Sequence, residues 1–182
     1  MERKTLDRLA ASAGAALVAL LLVASGLLFW AGTFVSGEVH SQLAAQKIYF
    51  PAKDSAGISD PKIKPYLEQY AGQQLTTGPQ AKAFADHYIA VHLSAMGGGK
   101  TYSQLSTEAR ANPKDAQLAD TVNTVFKGET LRGLLLNAYA FSTMGTIATY
   151  AAIASLVGAL AFLLLSALGF RHAARASRET AV

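Results

Sequence analysis

The 182-residue chain contains no cysteine. That excludes a disulfide framework, a thiolate metal site and a cysteine nucleophile, so any folded part must be held by packing alone. Charge is also scarce. Only 15% of the residues are charged, against about a quarter in ordinary globular domains, while 51% are hydrophobic and the mean hydropathy is +0.24. Convincing apolar/polar alternation and two-residue hairpin turns are missing too, which argues against a β fold. A soluble enzyme, a collagenous chain and a wholly disordered one are all excluded by this balance.

The apolar residues lie in two blocks. Between Arg8 and Glu38 there are 29 positions without a charged side chain, and between Arg132 and Arg171 there are 38. Both exceed the roughly 20 residues a helix needs to cross a bilayer's hydrocarbon core. The first block, residues 9–35, predicts a transmembrane helix that acts as an uncleaved signal anchor, because it outlasts a signal-peptide core and no small-x-small cleavage site closes it. As one helix, the second block would be about 57 Å long, nearly twice the hydrocarbon thickness. Its first third is the more polar, so residues 133–146 are expected to extend outward and residues 147–170 to form the span.

The formal charge of +4 sits mainly at the ends: Arg3, Lys4 and Arg8 precede the first block, and Arg171, Arg175 and Arg178 follow the second. The middle carries ten Lys or Arg against nine Asp or Glu, so no basic stripe for nucleic acid exists. Two basic ends place residues 1–8 and the basic C-terminus, residues 171–182, in the cytoplasm of a multi-pass cell-membrane protein, with residues 36–132 outside. Phe29, Trp30 and Phe34 then fall near the outer boundary.

Helical signals dominate the middle segment. Ala81, Phe84, Ala85, Tyr88, Ile89, His92, Leu93 and Met96 recur at three- and four-residue steps after Gly78-Pro79, and Gly97-Gly98-Gly99 stops them. Asn112-Pro113 reads as the start of a helix carrying Leu118, Val122 and Phe126, with Gly128 as its end. Shorter helices are expected over Ser103 to Ala111 and around Lys64 to Gln74, with the Pro51 to Pro61 stretch as a loop. The predicted fold is an all-α membrane protein, two transmembrane helices flanking a small extracytoplasmic helical domain.

Candidate chemistry fails on spacing. Ser94-Ala95-Met96-Gly97-Gly98-Gly99-Lys100-Thr101 ends like a phosphate-binding loop, but serine stands where the motif requires its first glycine, and a helix precedes it instead of a strand. No nucleotide is expected there. His87 and His92 are five apart, which does not put two ligands on one helix face, and His92 is expected in the core with His87 exposed. Asp86 with Glu108, or Asp115 with Asp120, have no spacing that selects them as acid/base pairs. Catalytic, cofactor-binding and metal sites are therefore all expected to be absent.

What remains are residues suited to packing. Ala11, Ala15 and Ala19 in the first block, and Ala148, Ala152, Ser155 and Ala159 in the second, are small residues that allow close helix approach. Leu134, Asn137, Ala138 and Phe141 are expected to couple the domain to the membrane, with Leu134, Leu135, Ala138 and Phe141 covered by the stripes that contain Phe84, Ile89, Leu93, Val122 and Phe126 and Asn137 a buried or boundary amide.

Three segments, Phe84 to Leu93, Thr101 to Ser106 and Glu129 to Phe141, resemble uncharacterised two-span membrane proteins of actinobacteria over the C-terminal two thirds of the chain. The resemblance implies topology and no chemistry. The expected function is a non-enzymatic accessory or protein-interaction module in the cell envelope, whose partners are the lipid bilayer and another envelope protein or a second copy. A ligand-sensing module signalling through a separate partner is the first alternative, and an envelope enzyme the second.

Overall fold

The computed structural model describes the backbone of residues 3–179 and the side chains of residues 5–175. The side chains of Arg3, Lys4 and Arg178, part of the basic flanks, lie outside the described residues. The fold is all-helical, and among the described residues the only β feature is a single bridge between Tyr49 and Gln74. Two helices are long and apolar enough to cross a membrane. They are α1, Arg3–Ala45, and α7, Ala116–Glu179. Between them come α2 (Ala56–Ser59), α3 (Lys64–Leu67), α4 (Gly78–Ala83), α5 (Ala90–Met96) and α6 (Tyr102–Ala111). The chain divides into two compact units, one of residues 1–34 and 145–182, the other Val35–Met144.

The unit Val35–Met144 has an apolar core of its own. Leu43 from the end of α1, Ile58 from α2, Leu67 from α3, Phe50, Ile63 and Leu75 from the connecting segments, Phe84, Ile89 and Leu93, Leu105 from α6, and Val125 and Leu135 from α7 are all buried together. Local chemistry places these elements. Thr77 and Gln80 form a reciprocal capping box at the start of α4, and Thr101 and Gln104 do the same for α6. Gln74 Nε2 donates to the carbonyl of Ala44 at 2.8 Å, satisfying one of the free carbonyls at the end of α1.

Several expected boundaries move. The helix around Lys64 to Gln74 stops early, as a short 3₁₀ turn over Glu68–Tyr70 leading into Gly72 with φ 70°. Asn112 terminates α6, and Asp115 starts α7, its carboxylate accepting from Leu118 N at 2.9 Å. Gly128 does not end a helix. Helix α7 runs straight through it, and the missing Cβ makes a notch filled by the Leu93 side chain.

Residues Phe84–Ile89 adopt a π-helical turn between α4 and α5. The wider turn shifts the phase of everything after it. Besides Phe84, the buried positions are Ala81, Ala85, Ile89, Leu93 and Gly97, every fourth residue, whereas Met96 and His92 are exposed. This reverses the expected environments of the histidines. His87 is half-buried with its ring stacked on Tyr66 at 3.5 Å, and His92 is exposed, its Nδ1 2.8 Å from the carbonyl of Tyr88.

Candidate functional site

The first site candidate is the seam between the two long helices in the unit of residues 1–34 and 145–182. On α1 the buried or half-buried positions include Ala11, Gly14, Val18, Leu21, Ser25, Leu28 and Gly32. On α7 they include Gly145, Ala148, Ala152, Ser155 and Ala159, then Ser166, Gly169 and Ala173. Steps of three and four alternate on both helices, an average of 3.5, which is the period of a coiled-coil seam. The helices run antiparallel: His172 meets Asp7, Ser166 covers Gly14, Ser25 bonds Ala152 and Gly32 lies against Thr149.

Of the small residues singled out in the sequence, Ala11, Ala148, Ala152, Ser155 and Ala159 lie on this seam. Ala15 and Ala19 do not. They are exposed, because the seam advances by seven residues every two turns and a strict four-residue step rotates away from it. The missed members on α1 are Gly14, Ser25 and Gly32, all visible in the sequence once a seven-residue period is applied.

The composition of this pair is inverted relative to a water-soluble hairpin. Glycine, alanine and serine fill most of its interior, while Leu20, Val23, Leu27, Val157, Leu160, Leu164 and Leu165 point outward, each more than half exposed. Toward one end Phe29, Trp30, Phe34 and Tyr150 are exposed and Trp30 stacks on Phe34, while Phe162 and Phe170 are exposed toward the other. Toward the other end lie the exposed Arg8, Arg171 and Arg175.

The second candidate is an ionic cluster at the π-helical turn in the unit Val35–Met144. Asp86 accepts from Lys82 Nζ at 2.6 Å and from Arg132 at 3.3 Å, and Arg132 also pairs with Glu129 at 3.3 Å. Lys82 Nζ lies 5.3 Å from the centre of the Tyr139 ring. The hydrogen bond from Lys82 holds the Asp86 carboxyl below the usual carboxylate range against an opposing effect of burial, with Arg132 adding to the lowering. The same bond raises Lys82. A carboxylate fixed in its ionised form between two cations ties α4 and the π turn to α7, and it is poorly suited to moving a proton. Arg132 Nε is buried without a hydrogen-bond partner.

The four coupling residues need correction in phase. Leu134, Asn137 and Phe141 are exposed, and Ala138 is half-buried against the core. Leu135, also expected under the stripes, is 1% exposed, and the face that packs in this unit continues through Tyr139 and Ser142, which lie directly against Gly78 at the start of α4. The apolar character of Leu134 and Phe141 drew the expected stripe, whereas the close approach of α4 requires the smaller Ser142 at the contact.

Elsewhere, Lys100 pairs with Glu108 at 2.7 Å, and the Gly97 to Gly99 turn follows helix α5, with Gly98 and Gly99 at positive φ. Among the described residues, no three His, Asp or Glu side chains gather in a way that could hold a metal ion. No protein-family model, curated protein or solved structure matches the chain.

Proposed function

We propose that the chain is a two-span cell-membrane protein, with both termini in the cytoplasm and the Val35–Met144 unit as an extracytoplasmic, non-enzymatic interaction module. The observation that carries this reading is the inverted helix pair. In water, its outward leucines and valines would be an uncovered apolar surface; in lipid they are solvated, and small seam residues let the helices approach closely. Trp30 and Tyr150 toward one end and the arginines toward the other match an outer interface and a cytoplasmic flank. The resemblance to two-span actinobacterial proteins is in line with this topology.

The interaction role is supported by apolar side chains that the outer unit leaves uncovered. On α7, Leu134, Phe141 and Met144 are each more than half exposed, and Phe126 is exposed beside Tyr102. Such a face suits an envelope protein partner or a second copy. The cluster of Lys82, Asp86, Glu129 and Arg132 is internally paired.

Absence of cysteine makes the topology directly testable. Ser106→Cys is expected to react with a membrane-impermeant maleimide in intact cells, and Ser177→Cys only after lysis. The reverse pattern would overturn the orientation, and labelling of both in intact cells would remove one span. Photocrosslinking from Phe126 and Leu134 should trap a defined envelope protein or a homodimer; turnover abolished by a single point substitution would favour the enzyme alternative.

A further inference from the structure

Within the Val35–Met144 unit, α7 presents a second stripe, opposite the face it packs. Phe126, Thr130, Gly133, Asn137, Ala140 and Met144 follow one another at alternating steps of four and three residues, the spacing of a coiled-coil seam, and all six are exposed. Leu134 and Phe141 border them, also exposed, and no charged side chain lies on the stripe. Asn137 and the buried Leu135 are two residues apart, about 160° around the helix, so this face looks away from the core. Gly133 is open, with nothing within 4 Å of where a Cβ would stand.

Two features select a second copy of the chain as what covers it. Asn137 sits within the stripe, and its carboxamide carries both a donor and an acceptor; across a two-fold axis the same group offers the complementary pair, and a single Asn in such a seam fixes its register. Gly133 and Ala140, a turn to either side, let two backbones approach closely enough for that short side chain to reach. Charge complementarity then gives the direction. Lys127 directly follows one stripe residue and Glu129 directly precedes the next, so the two exposed charges lie on opposite flanks. A parallel pair brings unlike flanks together, Lys127 of one copy beside Glu129 of the other, whereas an antiparallel pair joins like flanks. Glu129 uses Oε2 on Arg132 of its own chain, leaving Oε1 for the lysine. Two copies inserted in one membrane in the same orientation present their α7 helices parallel.

We infer that the Val35–Met144 unit pairs with a second copy through this stripe, α7 parallel to α7, with Asn137 against Asn137 on the two-fold axis; the inference rests on the membrane-spanning reading. Phe126, Leu134, Phe141 and Met144 are 52%, 58%, 55% and 62% exposed. At about 200 Å² for a large apolar side chain they leave roughly 450 Å² uncovered, more than half of the about 800 Å² that each partner contributes to a standard interface. Copies already held in one membrane and one orientation have lost much of the freedom that freely diffusing partners give up, so this smaller area suffices.

The test is disulfide crosslinking of the full, otherwise cysteine-free chain in its native membrane, with copper phenanthroline as oxidant. Thr130→Cys and Asn137→Cys should each give a species of twice the chain mass, because a parallel two-fold sets every stripe residue beside its own copy, whereas an antiparallel pair could join at most one of the two. Ser94→Cys, exposed on α5 beside Asp60 and Lys62, should crosslink about tenfold less. Gly133→Trp, which the open surroundings admit without disturbing the fold, should lower the yield from Asn137→Cys about tenfold. Lys127→Glu should lower it several-fold, and Lys127→Glu/Glu129→Lys should restore it. Crosslinking at only one of the two positions, a yield no higher than from Ser94→Cys, a product with a different protein, or a yield unmoved by Gly133→Trp would each overturn the pairing. Release of the protein from membranes by alkaline carbonate would overturn the spanning reading and the pairing with it; firm membrane retention without a crosslink would overturn the pairing alone.

Discussion

Ser25 donates a hydrogen bond of 2.9 Å to the carbonyl of Ala152, 127 residues away in sequence. It is a polar link across the seam, and it fixes which turn of α1 faces which turn of α7. Seven residues on, Gly32 lies so close to α7 that an added Cβ would meet Thr149 Oγ1 and come within 2.9 Å of the Gly145 carbonyl. Gly26, between them in sequence, faces open space.

These two glycines test the seam against each other. Gly32→Leu should separate the helices and lower the melting temperature in detergent, an overpacking cost of about 1 to 3 kcal/mol. Gly26→Leu should be neutral or slightly stabilising, since it gains helix propensity and meets nothing. Equal effects at the two positions would mean that the seam lies on another face of α1.

Gly128 provides a sharper contest between two principles. In the interior of a helix Gly→Ala ordinarily stabilises by about 1 kcal/mol. Here the new methyl would overlap Leu93 Cδ2, and Leu93 is buried. Gly128→Ala is therefore expected to destabilise the Val35–Met144 unit in thermal unfolding, by about 1 to 3 kcal/mol. The double variant Gly128→Ala/Leu93→Ala should cost less than the two single changes added together, because the methyl enters space that Leu93 vacates. Strict additivity would deny the contact.

The ionic cluster makes a signed pH prediction. The folded-state pKa of Asp86 is lowered, so its contribution is present above the unfolded carboxylate value of 3.8 and is lost as the pH falls through the lower folded value. Lys82 is raised, so its contribution is present below 10.5 and is lost as the pH climbs past that value. The Val35–Met144 unit should keep this stabilisation from about pH 4 to pH 10. Asp86→Asn should remove about 1 to 2 kcal/mol near neutrality, the value of charge-assisted hydrogen bonds that are partly open to solvent. The same variant should flatten the acid limb of a denaturation curve. An unchanged acid limb would show that the pairing adds nothing to folding.

What the sequence made legible follows from how each feature is encoded. Two uncharged blocks and the Gly78-Pro79 and Gly97 to Gly99 punctuation are local signals, and α1, α7 and the start and end of the α4 to α5 stretch follow them. The π turn is not local in that sense. Nothing in Phe84-Ala85-Asp86-His87-Tyr88-Ile89 announces a wider turn, so the stripe drawn through it kept the wrong phase and placed His92 inside and His87 outside. Gly128 misled for the complementary reason, since a glycine read as a stop is instead a notch whose purpose appears only with Leu93 beside it. On the seam, alanines at four-residue spacing drew the eye to Ala15 and Ala19, while glycine and serine at a seven-residue repeat mark the real contact.

The phase of α7 near its entry into the outer unit yields the most direct experiment, because two adjacent leucines have opposite surroundings. Leu135 is 1% exposed within the core that includes Leu93 and Val125, whereas Leu134 is 58% exposed. Leu135→Ala removes buried methyl groups and should cost about 2 to 5 kcal/mol, enough to unfold a small helical unit of ordinary stability. Leu134→Ala should fall within about 0.5 kcal/mol of the parent. Phe141→Ala belongs with Leu134 and should leave protease resistance of the outer unit intact, while Ser142→Leu should not, because Ser142 lies against Gly78 with no room for a larger group. Limited proteolysis and circular dichroism of the four variants read the order directly. If Leu134→Ala and Phe141→Ala were the damaging pair, the packed face of α7 would be the one drawn from hydrophobicity alone, and the contact of α4 with Tyr139 and Ser142 would have to be abandoned.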